Sequence, residues 1–139
     1  LNRKKMATLV FNDPSSRKKL EEITHPEIRE HFLEKVRQAK NDNQSLKLVV
    51  YEIPLLFESG IKREEFYATC SVYTNKETAL KRILARDHIS QAEAHARIES
   101  QISPEKKAEL ADFVIDNSNN LETLIPQVES LFAKLIKHG

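Results

Sequence analysis

The chain has 139 residues, room for one ordinary domain with a hydrophobic core. Its 22 Lys and Arg nearly cancel 21 Asp and Glu, which argues against a general nucleic-acid or membrane-surface binder, whose affinity rests on a basic excess. A single cysteine excludes an internal disulfide and a cysteine-built metal site, and no apolar run approaches the roughly 20 residues of a membrane-spanning helix.

Residues 1–11 read as the end of a helix, with Met6, Leu9 and Val10 on its apolar side, and Asn12-Asp13-Pro14-Ser15-Ser16 as a turn. A short helix is expected over 16–23. Thr24-His25-Pro26 should interrupt it, because the residue before a proline is pushed out of helical conformation. Pro26 then suits the first turn of a helix to about Lys40, with Ile28, Phe32, Val36 and Ala39 at helical spacing.

After the polar loop Asn41-Asp42-Asn43-Gln44, the run from Leu46 to Ile53 is β-branched and aromatic and predicts a buried strand. Further strands are expected at 68–74 and 113–115. Cys70, in the first of these, fits a small buried residue in a protein of the reducing cytosol. No signal peptide is recognisable.

Between the strands, residues 76–86 place Ala79, Leu80, Ile83 and Leu84 on one helical face. Ser90 and Glu93 have the spacing of a capping box for a helix over 90–102, and Ser103-Pro104 opens another short helix. The last helix carries the clearest stripe: Leu121, Leu124, Ile125, Val128, Leu131, Phe132, Leu135 and Ile136. Pro126 suggests that this helix begins near Thr123 or is kinked. Strands alternating with helices predict an α/β fold with a parallel sheet.

The richest stretch is Val49-Val50-Tyr51-Glu52-Ile53-Pro54-Leu55-Leu56-Phe57-Glu58. Ligands of open parallel sheets bind beyond the carboxyl ends of the strands, so Glu52 and Glu58 stand where a metal or an anionic substrate's counter-groups would lie. Pairing of Glu52 with a nearby base, and simple packing of Leu55-Leu56-Phe57, fit the same pattern. Arg82, Arg86 and Arg97, followed by Gln101, suit a helical lid over phosphates, since guanidinium forks match phosphate oxygens. Ordinary surface pairing with Glu77, Asp87 and Glu93 is the alternative. His25 is placed either to bond a phosphate or ribose or to cap a helix, and Asn117 either to hold a base or to form a turn. No metal-ligand pattern links the histidines.

Two absences bear on chemistry. With only Gly60 and Gly139, the chain holds no G-x-x-x-x-G-K-[ST] phosphate loop, and on its own it is expected not to transfer phosphate. Scarce glycine and a first residue that is leucine also raise the expectation of an incomplete protein.

Taken in order, these motifs resemble the dephospho-CoA kinase family. The resemblance begins at Leu1-Asn2-Arg3 and runs through Val10-Phe11, Leu20 and His25-Pro26 to Ile28. It continues with Ile53-Pro54-Leu55-Leu56-Phe57-Glu58, Leu80-Lys81-Arg82, Arg86-Asp87, Arg97-Ile98 and Gln101, and ends with Ala111-Asp112-Phe113-Val114-Ile115-Asp116-Asn117. It implies a P-loop-kinase-like parallel sheet with flanking helices and helical CoA-binding and lid segments. The N-terminal strands, the P-loop and the aspartate expected as general base would lie upstream of Leu1.

The implied reaction is transfer of the γ-phosphoryl of ATP, with Mg²⁺, to the ribose 3′-hydroxyl of dephospho-CoA, in the cytoplasm. The resemblance implies lid and phosphate contacts at Arg82, Arg86 and Arg97, and substrate contacts at His25, Pro54, Leu55 and Glu58. It places Asn117 and Gln101 on the ATP side and Glu52 near Mg²⁺ through water. The implied organisation is a CoA-side helical segment over 1–44, core strands and ligand-edge loop over 45–75, a lid over 76–103, and a core strand with the C-terminal helix over 104–139. Another P-loop nucleoside or nucleotide kinase, or a non-catalytic α/β binding domain, are the competing readings; neither nucleic acid nor membrane is an expected partner.

Overall fold

The computed structural model describes residues 6, 13–59, 61 and 63–137. Two compact units divide the chain, Leu1–Val49 and Val50–Gly139. The helix expected over 1–11 lies outside the described residues except for Met6, which is helical.

The first unit is dominated by one helix, α1 (Pro14–Asp42). Asp13 caps it, accepting hydrogen bonds from the backbone N–H of Ser15 at 3.0 Å and of Ser16 at 3.2 Å, and Pro14 occupies a first-turn position that needs no donor. The two helices expected over 16–23 and 26–40 are therefore one, with Pro26 inside it. Proline cannot serve the carbonyl four residues back, but both Glu22 and Pro26 are exposed, where water can serve a freed carbonyl. Thr24 bonds back to the Leu20 carbonyl at 2.8 Å, a geometry that keeps the turn before Pro26 closed. Phe32, Val36 and Ala39 are half-buried as the spacing predicts, whereas Ile28 is exposed. Arg37 bridges Glu30 at 2.8 Å and Glu34 at 2.9 Å along the polar side.

The expected strand over 46–53 is not formed. These residues carry no regular secondary structure, and among the described residues the sheet has two strands. Composition there favours a strand, but a strand exists only through ladder bonds to a neighbour, and none pairs with it among the described residues.

In the second unit, β1 (Cys70–Tyr73) is followed by α2 (Lys76–Asp87), α3 (Gln91–Glu99) and α4 (Pro104–Leu110), then β2 (Phe113–Asp116) and α5 (Leu121–Lys137). A short 3₁₀ turn, Arg63–Glu65, precedes β1. The strands are parallel, with Cys70 beside Phe113 and Tyr73 beside Asp116, and the helices form the crossover between them. Local signals set the boundaries. Asn75 caps α2, accepting from the Thr78 N–H at 2.8 Å, and His88 closes it in a left-handed conformation where glycine is more usual. The capping box forms at α3, where the Ser90 N–H donates to Glu93 at 3.0 Å and the Glu93 N–H donates to Ser90 at 3.3 Å. Ser103 caps α4. α5 begins at Leu121, two residues before the expected start, because Asn120 accepts from the Thr123 N–H at 3.2 Å; Pro126 lies inside the helix.

Register explains the burial. Ser71 and Val114 share one face of the sheet, Val72 and Ile115 the other. α4 packs on β1 and buries Ser71, and α5 packs on β2 and buries Ile115. Each helix covers one strand on one side, so Val72 remains 63% and Val114 46% exposed. Cys70 shares the open side of β1 with Val72 and is exposed, not buried as expected. Partial desolvation of its sulfur still raises the thiol pKa.

Candidate functional site

The amino ends of the two strands are joined by Thr69 and Asp112. Asp112 accepts from the Thr69 N–H at 2.8 Å and hydroxyl at 2.7 Å, and Thr69 is only 4% exposed. The pairing thus starts from a buried threonine whose donors are both served by an exposed aspartate, which fixes where the opposite ends of the strands emerge.

At those carboxyl ends, the loop after β2 is bound to the segment after β1. The Asn117 N–H donates to the Tyr73 carbonyl at 2.7 Å, and the Thr74 hydroxyl to the Asn117 carbonyl at 3.1 Å. The Asn75 N–H donates to the Ser118 hydroxyl at 3.1 Å. Arg82, from α2, spreads its fork over two carbonyls, Asn117 at 2.7 Å and Asn119 at 3.0 Å. Asp116 turns the loop by accepting from the Ser118 N–H at 2.8 Å, and the bonds from Ser118, its side chain first, lower the Asp116 pKa. An open cleft of about 510 Å³ results, lined by Arg82, Asn117, Asn119, Asn120, Leu121 and Glu122. It lies where parallel sheets bind ligands. Arg82 and Asn117, picked separately from the sequence, meet here.

Arg86 and Arg97 meet on a different group. Asp87 accepts from Arg86 Nε at 2.6 Å and Nη2 at 3.0 Å, and from Arg97 Nη1 at 2.6 Å. The hydrogen bond from Arg86, followed by the charges of both arginines, holds the Asp87 carboxyl below the usual carboxylate range. Two guanidinium groups are thereby gathered about a single negative point, an arrangement that phosphate oxygens can also satisfy.

Glu58 and Gln101 form a third group, through a residue the sequence did not single out. Lys107 Nζ lies 2.8 Å from Glu58 Oε1 and donates to Gln101 Oε1 at 3.0 Å, and the Ile102 N–H donates to Glu58 Oε1 at 3.1 Å. Lys107 lies on α4 among ordinary surface charges, and no local pattern distinguishes it from Lys106, which pairs with Glu109 at 2.8 Å.

Pro54 and Leu55 are exposed in a turned segment closed by the Ser59 N–H on the Leu55 carbonyl at 2.8 Å. His25, in the first unit, is exposed on α1. Glu52 is exposed as well, and among the described residues no three His, Cys, Asp or Glu side chains gather to hold a metal. Those residues alone do not make a Mg²⁺ cage. No helix among the described residues is long and apolar enough to cross a membrane.

The chain is similar to known proteins. A family model described as dephospho-CoA kinase matches residues 1–123. A dephospho-CoA kinase of Listeria monocytogenes is 40% identical over 138 residues, covering 99% of this chain and 68% of the relative. One from Campylobacter jejuni is 42% identical over 120 residues, 86% of this chain and 58% of the relative. Among solved structures, a Thermus thermophilus protein superposes with a TM-score of 0.82 at 35% identity, over 97% of this chain and 68% of that one. A dephospho-CoA kinase structure from Campylobacter jejuni gives 0.64 at 38% identity, over 99% and 67%. The α/β architecture, a parallel pair of strands with flanking helices, is thus that of these kinases, and the chain belongs to the dephospho-CoA kinase family.

Proposed function

We propose that this chain serves the ATP-dependent phosphorylation of the ribose 3′-hydroxyl of dephospho-CoA, which yields coenzyme A. The observation that carries the reading is the cleft at the carboxyl ends of β1 and β2, walled by Arg82 and Asn117, in a chain of this family. ATP is the phosphoryl donor and enters as its Mg²⁺ complex. Glu52 would be this chain's candidate to meet that metal, through water, and no step depends on the contact.

In this reading Asn117 and the loop after it receive the adenine side of ATP. Arg82 shapes that wall, since its fork is spent on the carbonyls of Asn117 and Asn119. Arg86 and Arg97 turn towards the phosphates, where fixed positive charge favours the spread negative charge of a loose transition state. Gln101 supports the same side. Pro54, Leu55 and Glu58 face the acceptor nucleotide, and His25 is the candidate substrate contact of the helical segment. The sequence divides accordingly into a substrate segment over 1–44, core and ligand-edge loop over 45–75, a lid over 76–103, and a final strand and helix over 104–139. A cytoplasmic setting accompanies the reaction.

The test is a kinase assay on the protein in its full encoded length, with dephospho-CoA and Mg-ATP, following ADP release and the mass of the product. Coenzyme A formed in step with ADP is the expected result. Phosphorylation of other nucleosides but never of dephospho-CoA would move the assignment to a general nucleoside kinase. Folded protein with no turnover on any nucleoside would leave a binding domain.

A further inference from the structure

The Glu58–Lys107 pair differs from the other ion pairs described in the structure. Its side chains are only 20% and 17% exposed, whereas every other pair leaves at least one partner more than half exposed. It also joins segments far apart in the chain, the turn that ends Pro54-Leu55-Leu56-Phe57-Glu58 and helix α4. Its hydrogen bonding is one-sided. Glu58 Oε1 receives both Lys107 and the Ile102 N–H, while Oε2 is buried and has no partner among the described residues.

A half-buried pair that leaves an oxygen unserved is a poor device for stability, since its desolvation is incompletely offset. It is a good device for position. Lys107 grips Glu58 and Gln101 together, and Glu58 grips the backbone of Ile102. These contacts pin the connection between α3 and α4 to the turn at 54–59. Arg97 lies on α3 just ahead of that connection, and the Ser100 hydroxyl at the helix end bonds back to the Arg97 carbonyl at 2.8 Å.

We infer that Lys107 is a positioning residue: through Glu58 and Gln101 it fixes the end of α3, and with it Arg97, relative to the turn at 54–59. The inference rests on the kinase reading above. It assigns Lys107 no contact with substrate. Its effect falls on the step that needs Arg97 in register, the transfer itself, and not on capture of the acceptor.

The experiment compares wild type, Lys107→Met, Lys107→Arg and Glu58→Gln in the full-length protein, with kinetics and hydrogen exchange over 97–102. Lys107→Met should lower kcat roughly 10- to 100-fold, the usual scale for a misplaced group, with KM for dephospho-CoA held within about twofold. Lys107→Arg should recover most of the loss, and exchange over 97–102 should rise in Lys107→Met and in Glu58→Gln but not in Lys107→Arg. Glu58→Gln keeps shape and the Ile102 contact, so it decides the matter if Lys107→Met fails to fold: a folded Glu58→Gln with reduced kcat supports the inference. Wild-type kcat in folded Lys107→Met or folded Glu58→Gln, or a loss in Lys107→Met seen only in KM, overturns it. Failure of wild type itself to phosphorylate dephospho-CoA overturns the kinase reading, and this inference with it.

Discussion

Asp87, the last residue of α2, receives Arg97 of α3 at 2.6 Å while Arg86, its own neighbour, holds it at two points. One carboxylate thus ties the two helices that carry the proposed phosphate-binding arginines. Asp87 is itself 18% exposed, while Arg86 and Arg97 are 74% and 56% exposed.

Replacement of Asp87 by alanine should release both guanidinium groups and loosen α3 against α2. Hydrogen exchange over 91–99 should rise while the strands keep their protection. The pH dependence has a definite sign. Asp87 is held below the usual carboxylate range, first by the hydrogen bond from Arg86, so its contribution to stability is complete above the unfolded-state pKa. That contribution is lost as pH falls through the lowered folded-state value. Wild type and the variant should therefore differ at neutral pH and converge in strong acid; a difference that grows on acidification would contradict the assignment.

Arg82→Lys tests the cleft wall. Lysine keeps the charge but not the fork that spans the carbonyls of Asn117 and Asn119. A charged hydrogen bond of about 1.5–3 kcal/mol is at stake, so KM for ATP should rise roughly tenfold or more. KM for dephospho-CoA should barely move. Equal increases for both substrates would mean that the loop does not serve the nucleotide.

The parts legible in the sequence are those decided locally. Ser90 and Glu93, Ser103 and Pro104, and the stripe of α5 each announce themselves within a turn or two of helix. The parts missed depend on distant partners. Leu46 to Ile53 has the composition of a strand, but pairing is a property of its neighbour. Cys70 reads as buried until register shows that its face of β1 is uncovered. Pro26 reads as a break because the local rule weighs the lost bond without regard to exposure. In the site, Arg82 and Asn117 were each visible by residue type, yet their meeting follows from the crossover. Lys107 was invisible because only the fold brings it to Glu58.

Asp112→Ala should weaken the sheet at its root. It removes the acceptor for the Thr69 N–H and hydroxyl and leaves both donors of a buried residue unserved. Unserved buried donors cost about 1–3 kcal/mol, which should lower Tm by several degrees. Thermal unfolding by circular dichroism measures this. An unchanged Tm would show that water reaches Thr69 readily and that the pair is not needed to start the ladder.

Pro126 presents two opposed effects on one helix. It has no N–H for the Glu122 carbonyl, and a proline in a helix interior costs about 3 kcal/mol relative to alanine. Yet the next residue, Gln127, bridges the end of β2: its amide oxygen accepts from the Asp116 N–H at 2.9 Å, and its amide nitrogen donates to the Asp116 carbonyl at 3.0 Å. That nitrogen also reaches the Thr123 carbonyl at 2.8 Å, one turn back across Pro126. The local bonds survive in a regular helix, so Pro126→Ala should stabilise the protein, by about 1–3 kcal/mol in urea unfolding. Hydrogen exchange at Asp116 should stay slow. A loss of stability together with faster exchange at Asp116 would show that proline sets the path bringing Gln127 to the strand, and that its cost is offset there.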